Sequence, residues 1–439
     1  MDERWTVHKF GGSVLRGAPD LDRLADRVAE SEGRNALVVS ALWGTTDRLL
    51  RAVEDPAYAE RLVSDLRAHH LMFAPRLEHG RDGVRFERVL TSMGAALEAR
   101  RSKPSDRQAK IQLLATGERL SALVVAHHLR RCGLEAHAVG AEDIGLQLKG
   151  TEEAEAVDLV ASRVSFDHGA LHGIPVITGW LGTGTDGTLA LLGRGGSDHT
   201  ATAIANLLGA RRVILWKDVE GIYPINPRWG LQTRPIPYIT YEHAKMAASI
   251  DATVLHPASV PPCVEDGIPI EIRRLHRPTH EAPGTVVGPE VLANQGPVAA
   301  SCTLDVVTVR VEFPPETTAG ANAAGVLGEL AAKGIGVHGS HVWSDGASLV
   351  IDAPRLTQST ELLAATGAQV KEIGEASAIV SVLGAWTDAQ PWAEGVCEEL
   401  EAEVIDVDAM RVRLLVPRDS IRHTLSRILD AARWAAHVA

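Results

Sequence analysis

The sequence has few cysteines and no long apolar run, and these absences exclude several classes of protein. Its four cysteines lack a C-x-x-C spacing, so neither a disulfide framework nor a zinc site is indicated. No apolar run is long enough to cross a bilayer, and the polar start MDERWTVHKF lacks the apolar region of a signal peptide. We therefore expect a cytoplasmic protein with no membrane partner.

Positive charge is also scarce. The chain carries 44 Lys and Arg residues against 56 Asp and Glu residues, a formal net charge of -12. Its densest basic stretch, around Arg100, Arg101 and Lys103, is too short to reverse that balance locally. We expect no nucleic-acid partner.

Two common nucleotide-binding motifs are missing. No G-x-x-x-x-G-K-[ST] occurs, and G-T-G-T-D-G at positions 182–187 matches the dinucleotide fingerprint only as a string of letters. The strand-like segment T-L-A-L-L follows it, where the fingerprint requires a helix. This context predicts a hairpin turn.

What is present is a glycine-rich anion-binding pattern. Residues 191–198 read L-L-G-R-G-G-S-D and run into an apolar-periodic segment that predicts a helix with Ser197 as its N-cap. Gly195 and Gly196 let the backbone approach an anion closely, and the helix start directs N–H groups toward it. Arg194 suits a carboxylate or a phosphate, and Asp198 suits a cationic group or a metal. A solvated turn that caps an ordinary helix fits the same letters.

The first 288 residues alternate strand-like and helix-like segments, which predicts a parallel sheet covered by helices. Strands are expected at 36–40, 111–115, 134–139, 175–178 and 211–216, besides one that ends at Lys9. Ligands of such sheets bind at the carboxyl ends of the strands. The candidates at that edge are Lys9, Phe10, Gly11, Gly12, Ser13, Ser40, Thr46, Lys217 and Asp218, and also Glu118 at the start of a helix at 118–131.

The segment 288–300 has the glycine and proline content of a linker. Beyond it we expect strands at 306–311, 336–343, 347–351, 378–383, 403–407 and 411–416, with helices at 321–333, 356–365, around 392–400 and at the end. Two tandem β-α-β-β units of this kind are typical of small binding modules.

Several motifs, in order, resemble those of the aspartate kinases. They are K-F-G-G-S, V-V-S-A-L-W-G-T-T-D, T-G-E-R-L-S, L-G-R-G-G-S-D, W-K-D-V-E-G-I-Y with N-P-R, and V-L-H-P, and they span residues 7–287. The tail resembles that family's paired ACT regulatory domains. The resemblance implies an α/β fold, an amino acid kinase-like open αβα sandwich followed by two small α+β units. It also implies transfer of the ATP γ-phosphoryl group to the β-carboxylate of L-aspartate.

The resemblance also implies roles for individual residues. Lys9 neutralises the transferred phosphoryl group and Asp198 orients Lys9. Arg194 binds the substrate α-carboxylate and Glu118 its ammonium group. Ser40, Thr46, Gly195, Gly196 and Ser197 complete the substrate site, and Lys9, Phe10, Gly11, Gly12, Ser13, Lys217, Asp218, Tyr223, Arg228 and Thr253 form the nucleotide site. Mg²⁺ is expected to arrive with ATP, without a resident metal site.

The sequence departs from the family pattern at four places. The family usually has threonine where Lys217 stands, although some members show W-K-D-V, and it usually has lysine where Thr253 stands. An asparagine often follows the I-P-I strand, where this chain has R-R-L-H. We predict that Lys217 partly supplies the missing nucleotide-binding charge, the alternative being a lysine that points to solvent. In the tail, G-V-H-G-S-H-V-W-S-D-G replaces the usual effector loop, so inhibition by lysine or threonine is expected to be weak or absent.

The expected organisation is a catalytic domain at 1–288, a linker at 289–300 and ACT-like units at 301–375 and 376–439, with interleaving of the two units left open. We expect a homodimer or higher homo-oligomer and an amino-acid effector at the tail. Two alternatives to an aspartate kinase remain at this point. One is a kinase of a related acidic or non-proteinogenic amino acid, and the other is a catalytically weak amino-acid sensor.

Overall fold

The computed structural model describes residues 4–154, 156–249, 255–289, 296–314 and 318–431. These residues divide into two compact units. The first unit comprises the described residues up to 222 together with 235–249 and 255–289, and the second comprises 223–234 and the described residues from 296 onward. Among the described residues, no helix combines the length and the apolar character needed to cross a bilayer.

The first unit alternates strands and helices. Its strands are Trp5–Phe10 (β1), Arg34–Val39 (β2), Ala136–Val139 (β3), Leu148–Lys149 (β4), Glu153–Ala154 (β5), Ala156–Val157 (β6), Ile174–Thr178 (β7), Leu181–Thr183 (β8), Leu189–Leu192 (β9), Arg212–Lys217 (β10), Tyr238–Thr240 (β11), Ile270–Arg274 (β12) and Thr285–Gly288 (β13). Its helices are Ala18–Ala29 (α1), Thr45–Glu54 (α2), Pro56–Phe73 (α3), Gly80–Ser102 (α4), Arg107–Arg131 (α5), Leu159–Ser165 (α6), Gly196–Leu207 (α7), Tyr241–Ser249 (α8) and Pro261–Val264 (α9).

Eight strands form the main sheet, in the order β11-β13-β12-β10-β1-β2-β7-β3. The pairs from β12 to β3 are parallel, while β12 and β13 are antiparallel. All six residues of β1 are buried, as expected for a central strand covered on both faces. The predicted parallel sheet is confirmed, and the carboxyl ends of β10, β1 and β2 meet at one edge.

Side chains alternate between the two faces of this sheet. Phe10, Leu37 and Trp216 belong to one buried cluster with residues of α1 to α5. The opposite face carries Lys9 of β1 and Lys217 of β10, and helix α7 packs against these strands. The observed layers, helices on both faces of the sheet, agree with the predicted αβα sandwich.

One predicted strand is wrong. Residues 111–115 belong to the 25-residue helix α5, so Glu118 lies in the middle of a helix and does not begin one. Gly117 lies inside this helix and does not end it. Glycine is needed there for close packing, since an added Cβ would lie 2.9 Å from the Cβ of Ala41. The buried run that suggested a strand is the face of α5 that packs in the core.

The G-T-G-T-D-G segment forms the predicted hairpin. Strands β8 and β9 are antiparallel, and the N–H of Gly184 donates to the carbonyl of Thr188 at 2.7 Å. The dinucleotide reading is therefore excluded by the backbone.

The second unit is mainly one seven-stranded sheet with helices. Its strands are Gly296–Glu312 (β14), Val337–Trp343 (β15), Gly346–Asp352 (β16), Gln369–Ile373 (β17), Ser377–Ala385 (β18), Glu403–Val407 (β19) and Arg411–Pro417 (β20). Its helices are Ala319–Ala332 (α10), Leu356–Ala365 (α11), Gln390–Leu400 (α12) and Ile421–Ala431 (α13).

Strand β14 joins the two β-α-β-β units. Its first part pairs with β18, and its second part pairs with β16 and β17, all antiparallel. The two β-α-β-β units of the tail therefore share strand β14, which is the interleaving that the sequence left open. The linker predicted at 289–300 is wrong in its last part, because 296–300 already belong to β14, where Ala299 and Ala300 are buried.

Candidate active site

Nine of the predicted site residues line a single cavity of about 500 Å³ in the first unit. They come from five separate segments that the sheet edge brings together. These residues are Lys9, Ser40, Thr46, Glu118, Arg194, Gly195, Gly196, Ser197 and Asp198.

Asp198 lies at the centre of the charged groups. Its Oδ1 is 2.8 Å from Nζ of Lys9 and its Oδ2 is 2.7 Å from Nζ of Lys217. Burial alone would raise the pKa of Asp198, but the two ammonium groups outweigh that effect and hold the pKa below its ordinary value. Asp198 is therefore ionised and holds two lysines in fixed positions.

The sheet explains why both lysines reach the same carboxylate. Lys9 pairs in register with Leu215, so Lys217 stands two residues further along the neighbouring strand, on the same face. Only 15% of the Lys217 side chain is exposed, so this lysine does not point to solvent. Burial lowers the pKa of Lys9, and Lys217 lowers it further, while Asp198 opposes both.

The start of helix α7 differs from the prediction. The N-cap is Gly195, in the left-handed conformation with φ of 71°, and Ser197 lies inside the first helical turn. A Cβ at position 195 would collide with the side chain of His256, so both the conformation and the space require glycine. This turn places Ser197 and Asp198 in the first turn of the helix. The N–H groups of Gly196 and Asp198 donate to the carbonyls of Gly193 and Gly195, while within the described chain the N–H of Ser197 has no acceptor and is available to an anion.

Arg194 lies just before this turn and is exposed. It forms no ion pair or side-chain hydrogen bond with any residue that the structure describes. Its guanidinium group is thus available to a ligand carboxylate or phosphate.

Glu118 places a carboxyl group in the same cavity. It is 4% exposed, its Oε1 accepts a hydrogen bond from the N–H of Ala41 at 3.1 Å, and within the described chain Oε2 has no partner. Burial raises the pKa of Glu118 to about 8, against the effects of the Ala41 N–H group and of Lys9. A bound cation would supply the missing partner and favour the ionised form.

The remaining predicted nucleotide-site residues are not among those that line the cavity. Phe10 is fully buried, its ring stacks on that of Trp216 with 5.9 Å between the ring centroids, and its carbonyl accepts from the N–H of Ser40 at 3.0 Å. Neither its side chain nor its carbonyl is therefore free for a ligand. Gly11, Gly12 and Ser13 follow β1 directly, at the same sheet edge. Asp218 is exposed and lies 3.4 Å from Arg16.

Three further predictions fall elsewhere. Tyr223 and Arg228 belong to the second unit, and Arg228 lies in the 3₁₀ turn Pro227–Trp229. Thr253 lies outside the described residues. Their predicted contacts with a nucleotide stay predictions.

The sequence reasoning missed several residues of the cavity. They are Leu50, Lys110, Leu114, Glu153, Trp180, Leu191, Leu192 and Gly193. Lys110, Leu114 and Glu118 are spaced four residues apart, as on one face of a helix. This four-residue spacing is visible in the sequence, but it indicates a common face only in a helix, and the sequence predicted a strand at 111–115.

The comparison with known families agrees with this geometry. The model of the amino acid kinase family matches residues 4–274. The chain belongs to the amino acid kinase family.

Within that family the relatives are aspartokinases. An aspartokinase of Thermus thermophilus is 30% identical over 290 residues, which cover 64% of this chain and 70% of the relative. Aspartokinase 2 of Arabidopsis thaliana chloroplasts is 31% identical over 298 residues, 64% of this chain and 54% of that protein. The chain thus spans about half the length of the Arabidopsis relatives that it matches.

Solved structures show the same fold. Aspartokinase III of Escherichia coli, in complex with aspartate and ADP, superposes with a TM-score of 0.72 at 24% identity, over 97% of this chain and 99% of that one. The aspartate kinase of Clostridium acetobutylicum gives a TM-score of 0.80 at 19% identity, over 97% and 99% of the two chains. The family and fold that the sequence motifs predict are confirmed.

Proposed function

We propose that the chain transfers the γ-phosphoryl group of ATP to the β-carboxylate of L-aspartate and forms 4-phospho-L-aspartate. One observation carries the proposal: Arg194, a cation, and Glu118, a carboxyl group that a bound cation would ionise, line the same cavity as Lys9 and Asp198. An amino acid offers the two complementary charges, and the phosphoryl group offers the anion that the lysines attract. The aspartokinase relatives support the choice of aspartate.

Substrate binding follows from the charges. The Arg194 guanidinium binds the α-carboxylate through paired N–H donors, and the free Oε2 of Glu118 accepts from the α-ammonium group. The hydroxyl groups of Ser40, Thr46 and Ser197 donate to the remaining substrate oxygens. This assignment leaves the side-chain carboxylate as the nucleophile.

The transfer step needs no general base, because the attacking carboxylate is already ionised at neutral pH. One of its oxygens forms a bond to the γ-phosphorus, and the bond from that phosphorus to the bridging oxygen of ADP breaks. Two anions approach each other in this step, so fixed cations are the main requirement. Lys9 and Lys217 supply two positive charges, which Asp198 holds in place without cancelling both.

The nucleotide is assigned to the loop after β1 and to the end of β10. Backbone groups of Gly11, Gly12 and Ser13 approach the phosphates, and Asp218 lies at the adjoining strand end. Tyr223, Arg228 and Thr253 are proposed contacts on the family resemblance alone. Mg²⁺ bound to the ATP phosphates neutralises part of their charge when it is present.

A related acidic amino acid is the alternative substrate. Lys110, which forms no ion pair within the described chain, and Glu153 also line the cavity. These two charges are absent from the predicted aspartate site, and Lys110 would favour an acid with a further carboxylate. A panel of acids therefore belongs in the test.

Trapping of the acyl phosphate by hydroxylamine tests the proposal. With ATP and Mg²⁺, aspartate should give a hydroxamate, and Lys9→Ala or Asp198→Asn should lower kcat by on the order of a hundredfold, as for lost electrostatic preorganisation. Lys103→Ala, an exposed lysine at the end of α4, is the matched control and should leave kcat unchanged. A hydroxamate with another acid but none with aspartate would overturn the substrate assignment.

We also propose an amino-acid effector site and a homodimer for the second unit, both of which are usual for ACT-like modules. Aspartokinase III of Escherichia coli in complex with lysine and aspartate superposes with a TM-score of 0.77 at 24% identity. We further propose that the protein acts in the cytoplasm.

A further inference from the structure

A second cavity of about 200 Å³ lies in the first unit, and none of its lining residues lines the candidate active site. It opens at the carboxyl ends of β3 and β7, beside α4 and α5. Three of the residues that line it are arginines, Arg85, Arg88 and Arg119. Carboxyl ends of parallel strands are the usual place for ligands in such sheets.

The three guanidinium groups are held differently. Nη2 of Arg85 donates to the carbonyl of Ala138 at 2.8 Å. Arg119 donates to Oε1 of Gln112 at 3.0 Å and to Oε1 of Glu142 at 2.6 Å, which fixes its orientation. Arg88, three residues after Arg85 on α4, has no hydrogen-bond or ion-pair partner among the described side chains and backbone groups.

Positive charge exceeds negative charge in this cavity. Asp143 is its only acidic lining residue, and within the described chain Asp143 forms no ion pair with any arginine. Glu142 is already paired with Arg119. Like charges gathered around one small space repel each other unless an anion lies between them.

We infer that this cavity binds a small oxyanion. Guanidinium groups donate paired N–H bonds in the geometry of carboxylate and phosphate oxygens. The cavity is smaller than the roughly 300–1,000 Å³ of pockets for larger ligands, so a nucleotide does not fit. Inorganic phosphate and a four-carbon dicarboxylate are the two ligands of suitable size and charge.

We expect anion binding in this cavity to be coupled to aspartate binding in the substrate cavity, and this expectation rests on the proposed function. Arg119 follows Glu118 directly on α5, and Thr178 stands two residues before Trp180. Glu118 and Trp180 line the substrate cavity, so an oxyanion would contact two segments that also form it. By linkage, an anion that changes the affinity for aspartate has its own affinity changed by the same factor.

Titration calorimetry on the full chain tests the site, with inorganic phosphate and succinate as separate probes. A variant with Lys9→Ala and Arg194→Ala removes two of the active-site cations, which should weaken anion binding there and keep the second site. In that background, Arg88→Ala should weaken binding by about tenfold, the loss of one charge-assisted contact. Within the described chain Arg88 has no hydrogen-bond or ion-pair partner, so this change should not disturb folding.

Arg81→Ala is the matched control, because Arg81 is an exposed arginine on the same helix α4 and does not line the cavity. It should leave the affinity unchanged. Saturable binding of either probe that depends on Arg88 supports the inference, and the probe that binds identifies phosphate or dicarboxylate. No saturable binding of either probe, or equal losses in Arg81→Ala and Arg88→Ala, would overturn it.

The KM for aspartate, measured with and without the probe that binds, tests the coupling separately. It should change in the wild type and stay constant in Arg88→Ala. Calorimetric binding does not depend on kinase activity, so failure of the proposed function and failure of this site are distinguishable.

Discussion

At the residue scale, the charge balance around Asp198 determines what the site can bind. One buried carboxylate faces two ammonium groups, so the cluster keeps a net positive charge near the sheet edge. A buried cation without its partner is costly, and Asp198 lowers that cost for both lysines. The arrangement suits a polyanion that enters and adds its own negative charge.

Replacing Lys217 by Thr should raise the KM for ATP by about tenfold, roughly the effect of one charge-assisted contact. The physical reason is the loss of one of the two cations that face the phosphates. Adding Thr253→Lys should restore much of the loss if a lysine at that position supplies an equivalent charge. Steady-state kinetics with varied ATP provide the measurement.

Lys103→Thr is the matched control for Lys217→Thr, because Lys103 is exposed and lies outside the cavity. Its ATP kinetics should equal those of the wild type. Unchanged ATP kinetics in Lys217→Thr would mean that its pairing with Asp198 has only a structural role.

Replacing Glu118 by Gln should stabilise the free protein at alkaline pH and weaken aspartate binding. The ordinary pKa of Glu is 4.5, and burial raises that of Glu118 to about 8 in the folded chain. Between these values the folded state holds a proton that the unfolded state has lost, so stability falls as the pH rises. The free energy of unfolding falls by roughly 5 kcal/mol at most, a value that follows from the size of the Glu118 pKa shift.

The thermal unfolding midpoint tests this expectation. Without ligand, Glu118→Gln should melt above the wild type near pH 9, and the difference should shrink toward about pH 4.5. The KM for aspartate should rise at every pH, because the amide cannot pair with an ammonium group. A variant less stable than the wild type at alkaline pH would show that ionisation of Glu118 does not destabilise the folded protein.

At the scale of elements, helix α5 contributes to both the active-site cavity and the second cavity, the one lined by Arg85, Arg88 and Arg119. Its residues Lys110, Leu114 and Glu118 line the active-site cavity, while Arg119 and Leu123 line the second cavity. Gly117 lets the helix pack closely against the loop that carries Ala41. That close approach brings the N–H of Ala41 to Glu118.

Replacing Gly117 by Ala should therefore raise the KM for aspartate, although alanine favours a helix. The new Cβ would lie 2.9 Å from Cβ of Ala41, so the loop or the helix must shift and the hydrogen bond to Glu118 must change. We expect an increase of roughly fivefold to tenfold, about 1 kcal/mol or slightly more. Kinetics with varied aspartate give the value.

Gly94→Ala is the control, because Gly94 is inside helix α4 and an added Cβ would meet nothing within 4 Å. That change should stabilise the protein by about 0.5–1 kcal/mol and leave the KM unchanged. If both variants kept the wild-type KM, the packing of Gly117 would not position Glu118.

The elements that the sequence predicted correctly have strong local signals. The buried run of β1, the hairpin after Leu181 and the strands of the tail other than β17 could be recognised from periodicity and turn residues. Helix α5 could not be recognised in this way, because the buried run 111–115 followed by Gly117 resembles a strand that ends in a turn. The Lys217–Asp198 pair could not be derived either, since it depends on the register between β1 and β10.

At the scale of the whole molecule, the second unit determines what regulation is available. The segment that replaces the usual effector loop includes strand β15, where His338 pairs with Asp352 at 2.7 Å. We expect lysine and threonine to inhibit weakly or not at all. Initial rates with each amino acid at millimolar concentration measure this, and strong inhibition by either would contradict it.

The apolar strand β18 does not require a partner chain to cover it. It is buried within the second unit, where α12 and α13 contribute to the same cluster. Exposed apolar residues lie on other strands: Val342 is 39% exposed on β15 and Ile373 is 48% exposed on β17, and Leu304 on β14 and Val404 on β19 are also exposed. Strand β15 ends the sheet and pairs only with β16 among the described strands.

The start of β15 is covered, since the carbonyl of His338 accepts from Arg413. We therefore expect a second copy of the chain to pair with the exposed part of β15 around Val342, since an open strand edge readily accepts another strand. Light scattering at micromolar concentration should give the mass of a dimer for the wild type. Val342→Lys should shift the distribution toward the monomer, because a lysine on an edge strand opposes such pairing.

Val164→Lys is the control, since Val164 is 88% exposed on helix α6 of the first unit and its replacement should not affect the mass. A wild-type monomer would contradict the dimer, and a dimer that survives Val342→Lys unchanged would place the contact on another surface.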